Sequence, residues 1–213
     1  MISCMNKLKI ISYNCESYMK NIEIIRELLI GCDILMLQET LLMEHSFNEL
    51  SEAHEDFDYC AVSAVRRETC FTGKSSGGLA ILYKKSLSKF IQSQKVSDRI
   101  LTMHFNTGSE VFLLGNVYCT CDYRNDISYA SYMTTMSELR AICDTEIFNN
   151  IIITGDFNCD PNKGRFYRMF TDTMDDLSFH VADIKNLPSD SYSYISRNSA
   201  CSTSWLDHVV TSS

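Results

Sequence analysis

Residues 8–14 (LKIISYN) are a short apolar, β-prone run that ends on polar residues, which predicts a buried strand delivering Asn14 at its carboxyl end. From 18 to 29 the apolar residues Met19, Ile22, Ile24, Ile25, Leu28 and Leu29 recur largely at three- and four-residue intervals, the period of a helix, with Gly31 as its C-cap. Residues 33–39 (DILMLQE) read as a second buried strand closed by a polar group, completing a strand, helix, strand unit. Short β-prone runs follow at 59–64, 78–83, 100–105 and 111–118, separated by Gly, Ser and charged clusters. Asn106-Thr107-Gly108-Ser109 reads as a hairpin turn, so antiparallel pairing is expected there.

A second helix is predicted over 127–143, with Tyr129, Tyr132, Met133, Met136, Leu139 and Ile142 on one side. A strand at 150–154 then runs into Gly155-Asp156-Phe157-Asn158. Residues 165–170 are a short helix candidate, and 191–195 and 205–211 are strand candidates. Strands in both halves with helices between them predict an α/β (α+β) chain built as a two-layer β-sandwich of mixed sheets flanked by helices.

Length narrows this to one domain over residues 1–213, since 213 residues hold one generous core. Only 2 Pro and 8 Gly exclude collagen-like and linker-rich architectures, and no apolar run reaches the roughly 18 residues of a membrane span. The ten cysteines show no CxxC pair, which argues against a zinc site, and no apolar leader precedes the first strand. Free thiols in an intracellular, reducing compartment are expected. The net charge of -8 sets a whole-molecule field that repels polyanions, so a nucleic-acid substrate would need local basic groups and a bound cation. Arg66, Arg67, Lys74, Lys84, Lys85, Arg124 and Arg197 are the basic groups near the candidate site, although scattered cations on an acidic protein are commonly solvated surface.

Glu39 closes a nearly all-apolar strand and so lies at the rim of the core, either as a metal ligand or as a salt-bridged or solvated carboxylate. Asn14 is in the same position, either a ligand or a turn former. The GDFN run is sharper. Asp156 and Asn158, two apart on extended backbone, project to one side while Phe157 points to the core. A carboxylate that can orient or deprotonate water, next to a carboxamide that can donate to a phosphoryl oxygen, suits phosphate chemistry.

In order, SYN at 12–14, QET at 38–40, Val117-Tyr118 at a strand end and GDFN at 155–158 resemble the motifs of the endonuclease/exonuclease/phosphatase superfamily, which includes DNase I and the AP endonucleases. The resemblance covers roughly residues 8–212. It is strongest to the endonuclease domains of LINE-type non-LTR retrotransposons, through GGLAIL at 77–82, the run 118–124 before an amphipathic helix, and SWLDH at 204–208.

The resemblance implies Mg²⁺- or Mn²⁺-dependent hydrolysis of DNA, with Glu39 and Asn14 at the metal and possible help from Glu16. Asp156 would activate water, Asn158 and Tyr118 would steady the phosphate with Arg124 as a further substrate contact, and Asp207 would orient a histidine. It further implies a nuclear or other intracellular setting, no membrane, and a reverse transcriptase domain downstream in a longer parent protein. Thr120 stands where the family usually has Pro, which leaves that loop less rigid.

His208 is not expected to be the catalytic imidazole, because 205–212 has the pattern of an earlier strand and the family's Ser-Asp-His triplet, absent from this sequence, normally follows it. Lacking that triplet and the last strand, the chain is expected to be impaired, with an unpaired sheet edge at 205–211. A phosphatase or lipid phosphodiesterase on the same scaffold, or a catalytically inactive fragment, are the alternatives.

Overall fold

The computed structural model describes residues 7–66, 75–144, 148, 150–196 and 201–212; Arg67, Lys74 and Arg197 lie outside them. The first half contains β1 (Ile10–Asn14), α1 (Ile22–Ile30), β2 (Ile34–Gln38), α2 (Asn48–Ser51), β3 (Phe57–Val62), β4 (Val65–Arg66), β5 (Ser75–Ser76) and β6 (Leu79–Lys84). The second half continues with β7 (Ile91–Val96), β8 (Ile100–Asn106), β9 (Val111–Tyr118), α3 (Asp126–Asp144), β10 (Asn150–Asp156) and α4 (Arg165–Asp176). It ends with β11 (Phe179–Val181), α5 (Ala182–Asn186), β12 (Tyr194–Ile195), β13 (Thr203–Ser204) and β14 (Asp207–Ser212).

Two mixed sheets face each other, one ordered β1-β2-β6-β3 and the other β11-β14-β10-β9-β8-β7. The strand alternation of β2 shows how the layers form. Ile34 and Met36 pack between the sheets with Ile81, Leu101, Met103 and Leu114, whereas Leu35 and Leu37 face the opposite way, onto Tyr18, Ile25 and Leu29. All five residues of β2 are therefore buried, which is why the run carries no polar alternation. On the outer face of the second sheet, Leu113, Val117 and Ile153 meet Tyr132, Met136, Phe166 and Phe170 of α3 and α4. The helices thus cover the outer faces of both sheets.

The hairpin at 106–109 forms as expected, with Gly108 N–H donating to Asn106 Oδ1 at 2.7 Å. Eight described cysteines are all free thiols. Several expectations need correction. Helix α1 starts at Ile22 rather than 18, because Tyr18 is buried and its hydroxyl donates to the Glu49 carbonyl at 2.8 Å. Gly31 caps its C-terminus as expected, at φ −97° with its N–H donated to the Leu28 carbonyl. The 191–195 run contributes only β12, paired with β13 in a ribbon separate from both main sheets. The edge expected to be unpaired is covered in part: β14 is hydrogen-bonded to β10 on one side and, over Val210–Ser212, to β11 on the other.

Candidate active site

The carboxyl ends of β1, β2, β9 and β10 and the start of β14 meet at one end of the sandwich, because β1 and β2 run parallel in one sheet and β9 and β10 parallel in the other. Register does the rest. Asn14 pairs with Gln38 beside Glu39, and Asp156 pairs with Tyr118 on one side and Asp207 on the other.

A groove of about 910 Å³ opens there, lined by Asn14, Glu16, Glu39, Asp156, Asn158 and Asp207 among others. Asn14 Nδ2 donates to Glu39 Oε1 at 3.1 Å and to Asp156 Oδ2 at 2.9 Å, so one nitrogen bridges carboxylates from the two sheets. Its Oδ1 accepts the Glu16 N–H at 3.0 Å. In this arrangement Asn14 is a donor between two acids, and its oxygen already has a partner.

Asp156 is 5% exposed, and burial, then the charge of Asp207, push its carboxyl up to about 8 against the pull of Asn14 and of the Asn158 N–H. Asp207 is raised in the same direction, chiefly by burial, while the Ser193 hydroxyl and His208 oppose the rise. Tyr118 lies behind Glu39 and Asp156; burial, then the Glu39 carboxylate, hold its phenol far above the ordinary value, so it stays a neutral donor. The Asn158 amide is fixed at both ends, its Nδ2 donating to the Cys119 carbonyl at 2.9 Å and its Oδ1 accepting from the Cys121 thiol at 3.3 Å.

Backbone geometry at the site is unusual. Glu16, Glu39 and Asn158 have φ of 48°, 52° and 50°, in a region that side-chain-bearing residues occupy only where the surroundings enforce it. For Glu39 the enforcement comes from Gly78, whose carbonyl accepts the Thr40 N–H at 3.1 Å and where a Cβ would stand 2.5 Å from Thr40 Oγ1.

Of the residues expected at the site, the structure brings Asn14, Glu39, Asp156, Asn158 and Asp207 to the groove, with Tyr118 behind them. Arg124 does not line it; the residue is exposed in the loop after β9, a loop pinned by Arg165 to Asp122 at 2.9 Å. The described residues lining the groove include no lysine, arginine or histidine. Ser193, whose Oγ accepts the N–H groups of Leu206 and Asp207 at 2.9 and 3.0 Å, and Cys121 escape a motif reading. Gln38 and Asn116 also escape it, joining the two sheets at 2.7 Å beneath the site. A lone Asn in the otherwise apolar 111–118 run was the signal for Asn116.

The groove carries four carboxylates, Glu16, Glu39, Asp156 and Asp207, oxygen ligands of the kind that Mg²⁺ and Mn²⁺ prefer, beside the Cys15 and Cys121 thiols. Among the described residues no three such side chains converge into a ready cage. That fits a small cation which keeps several waters and takes only one or two carboxylates.

Comparison with known proteins agrees with this geometry. Among solved structures, a 3' phosphatase, NExo, from Neisseria, bound to product DNA hairpin, superposes with a TM-score of 0.76 at 17% identity, covering 97% of this chain and 87% of that one. An AP endonuclease from Archaeoglobus fulgidus gives a TM-score of 0.75 at 16% identity over 97% and 87% of the two chains. The AP endonuclease LMAP from Leishmania major gives 0.74 at 18% identity over 97% and 79%. These likenesses establish the fold. No match was found among curated protein sequences. The family model described as Endonuclease/Exonuclease/phosphatase family matches residues 11–213, nearly the whole chain, and the protein therefore belongs to that family of metal-dependent nucleases and phosphatases.

Proposed function

We infer that the groove hydrolyses phosphodiesters of DNA with a divalent cation, Mg²⁺ or Mn²⁺. The observation that carries this reading is the bridge from Asn14 to both Glu39 and Asp156 inside an acidic groove free of basic side chains among the described residues. An anionic substrate approaches such a groove only with a cation present. When bound, the cation supplies Lewis-acid charge to the phosphate, and Glu39 is the carboxylate that would hold it.

Asp156 takes the proton of the attacking water as the phosphorus–oxygen bond to the leaving strand breaks; the charge of a bound cation would favour the ionised carboxylate against the burial and the Asp207 charge that raise it. Asn158 presents its remaining amide hydrogen to a phosphoryl oxygen, whereas Tyr118, outside the groove lining, turns its neutral hydroxyl on Glu39 and supports that carboxylate from behind. Asp207 stands beside Asp156 as the orienting carboxylate for an imidazole. Since no described histidine reaches the groove and residues 1–213 contain no Ser-Asp-His triplet, slow turnover is expected.

The finer reading is the endonuclease domain of a LINE-type retrotransposon, acting on DNA in the nucleus beside a reverse transcriptase; it rests on the runs at 77–82, 118–124 and 204–208. The test compares Mg²⁺-dependent nicking of supercoiled plasmid with release of phosphate from small phosphomonoesters. Nicking with little phosphate release supports the nuclease reading, and the reverse supports a phosphatase.

A further inference from the structure

His208 stands next to Asp207 yet takes no part in the groove. Strand alternation explains why: it pairs across the ladder with Gly155 and faces the helices behind the sheet, with its side chain fully buried. There its ring stacks at 5.1 Å from that of Phe170. Its Nδ1 lies 2.8 Å from Asp183 Oδ2, and its Nε2 lies 2.8 Å from the Cys159 carbonyl oxygen. A carboxylate and a carbonyl both accept, so a ring that donates from both nitrogens satisfies both contacts. The other oxygen of Asp183 accepts the Val209 N–H at 2.8 Å, so this α5 carboxylate grips β14 at two consecutive residues.

Cys159 directly follows Asn158, whose φ of 50° needs outside support. Part of that support is local, from Asn158 N–H to Asp156 Oδ1 at 2.8 Å. Part comes from the chain before β14, where the Phe157 N–H donates to the Leu206 carbonyl at 2.9 Å. The His208 contact is the side-chain counterpart of that second link.

We propose that His208 is a positioning residue. Gripped at Nδ1 by Asp183 and donating from Nε2, it ties the carbonyl behind Asn158 to the strand that carries Asp207, fixing the Asp156–Asn158 turn against Asp207 from the rear of the sheet. Its relevance to catalysis rests on the groove being the active site, but the tether itself is tested without metal or substrate.

Nitrogen NMR of ring-labelled histidine should show His208 carrying a proton on Nε2; an Nε2 without a proton overturns the proposal. Hydrogen exchange of the Asn158 amide is then compared in two variants. His208→Phe combined with Asp183→Leu keeps the ring packing, removes both donors and strands no buried carboxylate. It should lower Asn158 protection about tenfold relative to the β9–β10 ladder. His208→Gln, which keeps a donor for Cys159, should restore that protection, a rescue that ring packing alone would not give. Unchanged protection in the double variant overturns the proposal. Should the double variant fail to fold, His208→Gln decides alone, with Asn158 protected as in the parent and Val209 exchanging faster; the reverse pattern overturns it. Absence of nuclease activity would count against the groove and leave these readouts standing.

Discussion

Asn14 and Asp156, 142 positions apart in the chain and on different sheets, are joined by a 2.9 Å hydrogen bond. Because the same Asn14 nitrogen reaches Glu39, the two halves of the sandwich meet at a pair of acids that would otherwise repel each other. Beneath them, Asn116 donates to the carbonyls of Leu37 and Ala80 at 2.9 and 3.0 Å, and Gln38 donates to Asn116 Oδ1 at 2.7 Å. The site is thus held from below by a second, buried polar tie between the sheets.

The acidity of Asp156 sets a pH dependence. Its carboxyl is raised by burial and by Asp207, so the folded chain holds that proton more tightly than the unfolded chain does. The stabilisation is complete below the ordinary carboxylate range and is lost as pH rises through about 8. Melting temperature followed from pH 4 to 9 without metal should fall across this window, and Asp156→Asn should flatten the fall.

Divalent cation should reverse that loss. At roughly ten times its dissociation constant, a cation bound only by the folded state adds about 1.4 kcal/mol, or a rise of about 3–6 °C in Tm for a chain of this size. Titration with Mg²⁺ or Mn²⁺ by thermal melting should show the rise in the parent chain and not in Glu39→Gln.

Gly78 tests how the Glu39 backbone is held. At φ 86°, with a Cβ placed 2.5 Å from Thr40 Oγ1, Gly78→Ala should destabilise the fold by about 1–3 kcal/mol, read by urea unfolding. Because Thr40 adjoins Glu39, cation-induced stabilisation should weaken as well.

Much of this arrangement was legible in the sequence because buried strands advertise themselves. The runs at 33–39 and 111–118 are apolar on both faces, and polar residues at their ends mark the rim where chemistry sits. What stayed hidden depended on contacts between segments remote in the chain. Strand β11 is three residues long and pairs with β14, a partner beginning at Asp207, so local pattern could not place it or foresee that it covers the Val210–Ser212 part of the β14 edge. Arg124 looked close to the site along the chain but is exposed and outside the groove lining, since a loop side chain has no strand alternation to fix its direction. His208 was separated from the groove by alternation alone, while its partners Asp183 and Cys159, at sequence separations of 25 and 49, could not be read from any run.

The central claim is tested most directly by single-turnover nicking of supercoiled plasmid, with enzyme in excess, comparing the parent chain with Glu39→Gln and Asp156→Asn in Mg²⁺ or Mn²⁺ and after chelation. The account predicts slow nicking that requires the cation and is lost in both variants, with a fall of at least about 10²-fold for removal of either group. Nicking that survives chelation or either substitution, or the absence of any cation-dependent nicking by the parent chain, would contradict it.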